Sequence, residues 1–324
     1  MPQRPSTMRA VRVNEFGGTE VLKVDDSATV PQPKSSELLV KVEAAGVNPV
    51  DTYVRSGTYY RRPQLPYTPG SDGVGTVIPA GERVFFFAST SGSYAQFCTA
   101  AACRTFRLPD SVGAEKGAAL GIPYVTAFRA LFQRAHARVG QTVLVHGASG
   151  AVGLAAVQLA RASGLYVIGT AGSERGLELV KAQGAHLALN HWSPSHADAI
   201  MTASQGRGGV DVVLEMMANV NLEADLTLTK RHGTIVLIAS KGRAQIDPAA
   251  IMLKELTLTG VMLLEAHKED IADCGESITA LLERGQIDPV VAKVYAMNEA
   301  AQAHQDVVKP PTGSAQGKLV LKID

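Results

Sequence analysis

Two patterns of apolar residues divide this chain. Through the first third they come as short runs: residues 9–13, 37–44, 73–78 and 83–87 set apolar positions between polar ones and read as β-strands. Pro31, Pro33, Pro66 and Pro69, with glycines between the runs, favour a β-rich body over long helices. Residues 114–131 shift towards helix. Beyond position 142 the runs become continuously apolar. Residues 143–145, 165–168, 211–214 and 234–238 fit strands of a parallel sheet covered on both faces, where no alternation is needed. A run at 256–264 predicts a last strand that could extend a sheet across a subunit interface if it lies at an edge. A helix at 269–284 and a strand at 317–322 then return to the first body. The expected organisation is a parallel-sheet α/β domain at 122–263 inserted into a discontinuous β-rich domain made of 1–121 and 264–324, with no internal repeat.

The chemistry enters where the apolar strand at 143–145 runs into Gly147, Gly150 and Gly153 and then into a helix rich in small residues. Glycines there permit a tight turn and let the backbone approach a pyrophosphate, and the amides that open the helix point at phosphate. Gly147, Ser149, Gly150, Ala151, Val152 and Gly153 are therefore candidate dinucleotide contacts. The second strand ends at Gly169-Thr-Ala-Gly-Ser173, about 20 residues past the turn, where an adenosine ribose is read. No carboxylate stands directly at that strand end to grip two ribose hydroxyls. Gly172 leaves room for a 2′-phosphate, and Ser173, Arg175 and Lys181 are donors for it, so NADPH is favoured over NADH although Glu174 opposes the charge. A phosphate-binding loop of the nucleoside-triphosphatase kind is excluded, because no Gly-Lys-Ser or Gly-Lys-Thr follows the glycines.

Composition narrows the classes further. At 324 residues, 46% hydrophobic and 19% charged, the chain suits two folded domains, and a net charge of +1 offers no general attraction to nucleic acid or an anionic membrane. No apolar stretch is long enough for a membrane helix, and the opening octapeptide lacks the core of a secretion signal, so a cytoplasmic location is expected. Three cysteines, Cys98, Cys103 and Cys274, make no disulfide framework or cluster signature, and the histidines lack metal-ligand spacing, so no metal is expected.

The motifs at 46–59 (Gly-Val-Asn-Pro-Val-Asp-Thr-Tyr-Val-Arg-Ser-Gly-Thr-Tyr), 66–73 (Pro-Tyr-Thr-Pro-Gly-Ser-Asp-Gly), 122–131 and 143–153 resemble zeta-crystallin-like quinone oxidoreductases of the medium-chain dehydrogenase/reductase superfamily. The likeness runs from Met8 to the carboxyl end and includes segments 169–172, 184–186, 215–222 and 313–318. It implies a Rossmann NADPH-binding domain and a GroES-like substrate domain, with the active cleft between them. It also implies reduction of an ortho- or para-quinone to hydroquinone or semiquinone without metal or flavin. Zinc-dependent relatives carry a cysteine and a Gly-His-Glu ligand motif where this chain reads Gly46-Val-Asn-Pro and Pro69-Gly-Ser-Asp-Gly.

By the same resemblance Tyr53 and Asn48 are the catalytic candidates. Tyr53 would stack on or donate to the acceptor, and Asn48 would orient a carbonyl or the nicotinamide end. Tyr59 is a substrate contact, and Thr126, Asn219, Ser240 and Lys318 are cofactor contacts, Lys318 on the phosphate side. From the residues alone Tyr53 and Asn48 read rather as loop packing and turn hydrogen bonds, a preference that the resemblance reverses, and Arg55 reads as a loop anchor through Asp51 or Asp72. The resemblance leaves two other functions open: NADPH-dependent reduction of a 2-alkenal or enone double bond, and a noncatalytic lens-type or AU-rich RNA-binding role, for which the near-neutral charge gives no support. A homodimer or homotetramer is expected. The connection at Pro79-Ala80 is shorter than the family's usual loop.

Overall fold

The four apolar runs of the first third become β1 (Thr7–Arg12), β3 (Glu37–Val47), β4 (Asp72–Ile78) and β5 (Arg83–Phe87); β2 (Lys23–Thr29), β6 (Phe97–Ala101) and β7 (Thr105–Arg107) join them, with helix α1 (Pro49–Arg55) between β3 and β4. The computed structural model describes residues 5–204, 206, 208–311 and 315–324. After β7 come α2 (Ala114–Gly117) and α3 (Gly121–Phe128), the latter running into a π-helical turn at Arg129–Arg134. The middle of the chain gives β8 (Thr142–Val145), α4 (Ala151–Ala162), β9 (Tyr166–Ala171), α5 (Glu174–Ala182), β10 (Leu187–Asn190), α6 (His196–Ala203) and β11 (Val210–Glu215). It continues through α7 (Ala218–Leu228), β12 (Thr229–Leu237), α8 (Pro248–Lys254) and β13 (Thr257–Gly260). Then follow α9 (Lys268–Glu283), β14 (Val291–Ala296), α10 (Ala300–Val308) and β15 (Lys318–Lys322).

These elements form two units. The first takes residues 1–122, 271–312 and 318–324, and the second takes 123–270 and 313–317. In the first, seven strands make a sheet ordered β14-β15-β3-β4-β5-β7, with β6 also pairing β3, and β1 and β2 form a separate hairpin. All pairs in these sheets are antiparallel except β14 with β15. Val40, Val42, Phe86, Tyr94, Tyr295 and Leu321 are among the residues of its buried core. The short link from β4 to β5 is a closed turn, in which Val77 N–H donates to Glu82 O and Gly81 N–H to Val77 O. Gly81 supplies the positive φ this turn needs, +78°.

In the second unit six parallel strands are ordered β10-β9-β8-β11-β12-β13, with successive crossovers turning outwards on either side of β8. The strand order therefore reverses between β8 and β11, which leaves a crevice outside the carboxyl ends at that point. The continuous apolar runs are buried on both faces: Val143, Leu144, Val145, Val167, Ile168, Val213 and Ile235 are all closed to solvent.

Two boundaries differ from the sequence expectation. The chain returns to the first unit at Ile271, not at 264, because Asp270 is held by the second unit: Arg129 Nη1 lies 3.2 Å from its carboxylate and Gln133 Nε2 donates to its carbonyl at 2.7 Å. The last loop also revisits the second unit, where Gly317 N–H donates to Ser149 O at 2.9 Å. The strand expected over 256–264 is shorter, since the chain leaves the sheet after Gly260 and makes a 3-10 turn at Leu263–Glu265.

Candidate functional site

The glycine turn is shaped by what its backbone must avoid. Gly147 sits at φ +57°, a conformation that strains other residues, although a Cβ there would meet only Met216 Cβ and Cγ at an ordinary 3.8 Å. Gly153 lies against the turn itself: a Cβ there would meet Gly147 O at 2.5 Å and Ala148 Cα at 2.6 Å. These two glycines let α4 start tight against the end of β8. The first-turn amides of α4, those of Ala151, Val152 and Gly153, have no intrahelical acceptor and carry the positive end of the helix dipole. Gly147 is exposed and Gly150, Ala151 and Val152 half-buried, whereas Ser149 is buried. Such a cradle fits a dinucleotide pyrophosphate.

Four further loops reach the same carboxyl edge. After β9, Ser173 caps α5 by accepting Gly176 N–H at 3.2 Å, and Arg175 is exposed on the first turn. After β10 come His191 and Trp192. Their ring nitrogens, His191 Nε2 and Trp192 Nε1, each lie 2.8 Å from where a Cβ on Gly172 would stand. His191 is half-buried, and burial with the charges of His146 and His196 lowers its pKa. After β11 and β12, Asn219 Oδ1 accepts Lys241 N–H at 2.9 Å and faces Ser240 Oγ at 3.5 Å. The cofactor candidates 147–153, 172–175, 219 and 240 thus share one edge of one sheet.

In the first unit a buried polar network surrounds the start of α1. Asn48 is the N-cap, Pro49 fills the first helical position where no N–H is needed, and Asp51 accepts Asn48 N–H at 2.9 Å. Asn48 Nδ2 donates to Asp72 Oδ1 at 2.7 Å, and its Oδ1 accepts Lys318 Nζ at 2.5 Å. Lys318 Nζ also pairs with Asp72 Oδ2 at 3.1 Å, with Lys318 only 2% exposed and Asp72 closed to solvent. Asp51 accepts Ser71 Oγ at 2.5 Å, and Tyr94 OH lies 3.4 Å from its other oxygen. Burial raises the Asp51 carboxyl to about 6; the Ser71 bond opposes this, and the Asp72 charge adds to it. Tyr94 OH continues to His304 Nε2 at 3.1 Å, and Arg55 Nη1 meets His304 Nδ1 at 3.4 Å. Tyr53 lies on α1 outside this network: it is 38% exposed, and its carbonyl accepts from Ser56, Thr58 and Tyr59.

Comparison with known proteins agrees with this architecture. Residues 34–110 match the alcohol dehydrogenase GroES-like domain, and residues 151–279 match the zinc-binding dehydrogenase family. The rat quinone oxidoreductase is 48% identical over 97% of both chains, and the human one 44% identical over 97% of both. This chain belongs to the quinone oxidoreductase family of medium-chain dehydrogenases/reductases. Among solved structures, the quinone oxidoreductase from Thermus thermophilus, also solved with NADPH, superposes with a TM-score of 0.85 at 32% identity, over 97% of this chain and 100% of that one.

As a quinone oxidoreductase relative, the chain places its predicted residues unevenly. Lys318, a cofactor candidate on the phosphate side, is nearly closed to solvent at 2% exposure. Its buried ammonium is already held by Asp72 and Asn48, and it belongs to the first unit. Asn48 likewise has both ends of its amide committed, so it organises Asp72, Lys318 and α1 instead of presenting a free donor. Arg55 anchors a loop as expected, yet through Gly17 O and His304, not through Asp51 or Asp72. Tyr59 packs on Tyr60 with ring centroids 4.7 Å apart, and burial raises its hydroxyl pKa. Thr126 is buried in α3, which Tyr124 OH ties to Gln158 of α4 at 2.7 Å. Gly313 and Ser314 of the family-like segment lie outside the described residues. Sequence reasoning missed His191 and Trp192. Their signal was the chain's single tryptophan placed just after a short apolar run, but only the β9–β10 pairing, Asn190 opposite Ala171, brings them to Gly172.

Proposed function

We propose that the protein binds NADPH along the carboxyl edge of the second unit's sheet and reduces ortho- or para-quinones with it, using neither metal nor flavin. The observation that carries this reading is the convergence of the glycine turn, the Gly172–Arg175 loop and the Asn219–Ser240 pair at the point where the strand order reverses. When bound, NADPH supplies a hydride from its nicotinamide C4. The chain's own residues do the rest. Amides of 151–153 hold the pyrophosphate. Arg175, with Ser173 and the His191–Trp192 pair, surrounds the 2′-phosphate side of the ribose. Tyr53, exposed and with no hydrogen-bond partner for its hydroxyl among the described residues, donates to the quinone oxygen as negative charge builds on it.

The zinc-free reading rests on donor chemistry. Where zinc-dependent relatives carry ligands, this chain has Asn48, Ser71 and Asp72, whose polar atoms are taken up by Lys318, Asp51 and the Ile122 amide. The names of the relatives support the quinone as acceptor. The test is NADPH oxidation by metal-stripped protein with 1,2-naphthoquinone, NADH as control, and product analysis. Turnover preferring NADPH supports the reading. Saturated product from an enone with no quinone turnover replaces it by double-bond reduction.

We propose also that the protein is a homodimer through β13. It is the last strand of its sheet, and Met252, Leu253 and Met262 beside it are 75%, 71% and 43% exposed.

A further inference from the structure

Beneath the glycine turn lies a cluster that the reaction does not use. His146, at the end of β8 and directly before Gly147, meets Asp225 of α7 and Glu215 at the end of β11. His146 Nε2 is 2.9 Å from Asp225 Oδ1 and 3.8 Å from Glu215 Oε2, with both carboxylates closed to solvent. Glu215 Oε1 is satisfied by the Met217 amide and by Asn221 Nδ2. Glu215 Oε2 and Asp225 Oδ2, however, are buried without a hydrogen-bond donor. No lysine or arginine among the described residues pairs with either carboxylate. Among the described residues, the charged or titratable groups that face the cluster are its own three members and, further off, His191 beyond β10, on which the His146 charge acts. Thr170 from β9 contributes only a hydroxyl, 3.4 Å from His146 Nδ1, and that same oxygen accepts Gly147 N–H at 3.3 Å.

Two orphaned carboxylate oxygens in a dry interior are costly, and one proton between them satisfies both. We infer that Glu215 is held protonated and donates from Oε2 to Asp225, and that this proton, with His146, is a positioning device that fixes the glycine turn and the start of α7 for the cofactor. The links are direct. His146 N–H donates to Leu214 O and its ring leads through Thr170 Oγ1 to Gly147 N–H. Glu215 Oε1 holds the Met217 amide just before Asn219. Loss of the proton sets two buried carboxylates against each other and loosens both cofactor loops together. Burial and the neighbouring Asp225 carboxylate favour the protonated form, raising the Glu215 carboxyl to about 7 against the opposing pull of His146.

This inference rests on the proposed dinucleotide site, and the experiment separates the two. NADPH affinity of the full chain is measured by nicotinamide fluorescence from pH 6 to 9 for the wild type and for Glu215→Gln. The amide of Gln reproduces the protonated carboxyl, donating to Asp225 and accepting from the Met217 amide. The wild type is expected to lose affinity about fivefold or more as pH rises, while Glu215→Gln, folded and equally tight at pH 6, changes by less than about twofold. Titration of the NADPH 2′-phosphate is common to both proteins and cancels. Infrared difference spectra should show a protonated carboxyl C=O band in the wild type that is missing from Glu215→Gln. Parallel pH profiles, or the absence of that band, overturn the positioning role while leaving the dinucleotide site standing. A stoichiometric divalent metal that is lost with Glu215→Gln would mean that a cation, not a proton, joins the carboxylates. Failure to bind NADPH at any pH removes both readings.

Discussion

Arg175 and Tyr53 are the residues where function is most directly separable from fold, since both are exposed and neither is part of a core. A guanidinium near a 2′-phosphate discriminates NADPH from NADH through charge-assisted hydrogen bonds. Arg175→Ala should raise KM for NADPH about tenfold and leave KM for NADH unchanged. Steady-state kinetics with both cofactors checks this, and equal effects on the two would remove Arg175 from the phosphate. For Tyr53→Phe, the ring is kept and only the hydroxyl lost. The expected result is a fall of about tenfold in kcat with quinone and unchanged NADPH affinity, because an oxyanion donor acts in the transition state. The local sequence pointed to Arg175, and the family resemblance to Tyr53. Neither could show that Asn48 and Lys318, from the same family motifs, spend their polar atoms on each other and on Asp72. That pairing joins positions 270 residues apart in sequence.

At the scale of elements, the glycine turn was legible because each part of it is a local requirement: an apolar strand, a positive φ at Gly147, and a helix start too close for a Cβ at Gly153. Gly153→Val should abolish NADPH binding and destabilise the second unit by about 1–3 kcal/mol, because the contacts at 2.5 Å and 2.6 Å are with backbone that cannot rotate away. Urea denaturation and fluorescence titration would show it; a stable, binding variant would contradict the close packing of α4 on the turn. In the first unit, Lys318→Met leaves Asp72 buried without its cation, a loss of about 3–5 kcal/mol measurable by denaturation. The strands that escaped sequence reading, β2, β6, β7, β10 and β14, are short or rich in polar residues. Their pairing comes from neighbours already in place, and not from their own pattern.

For the whole molecule, pH and assembly are the informative variables. His304 is held neutral inside the first unit: burial, with the Arg55 charge, lowers its pKa to about 3. The unfolded chain takes up that proton below about pH 6.5, and the folded chain does not. This group therefore costs no stability above pH 6.5 and progressively more as pH falls from there towards 3. Denaturation midpoints at pH 7.5, 6 and 5 should fall in the wild type and fall less in His304→Gln; equal slopes would refute the assignment. On assembly, light scattering should report a dimer for the wild type and a monomer for the double variant Met252→Glu, Leu253→Glu, with circular dichroism unchanged. A wild-type monomer would remove the proposed β13 interface.

The sequence by itself determined the division into a β-rich body and an inserted parallel-sheet domain, the glycine turn and the family. The division and the turn follow from periodicity and from glycines whose need is local, and the family from the resemblance of motifs such as 46–59 and 66–73. Only the tertiary structure decided which polar side chains are spent inside the fold. Lys318, Asn48 and Asp72 close a buried network in one unit, and His146, Glu215 and Asp225 close another in the second. It also placed His191 and Trp192 over Gly172. The reason is physical: a buried charge must find its partner wherever the chain returns, and that partner carries no mark in the local sequence.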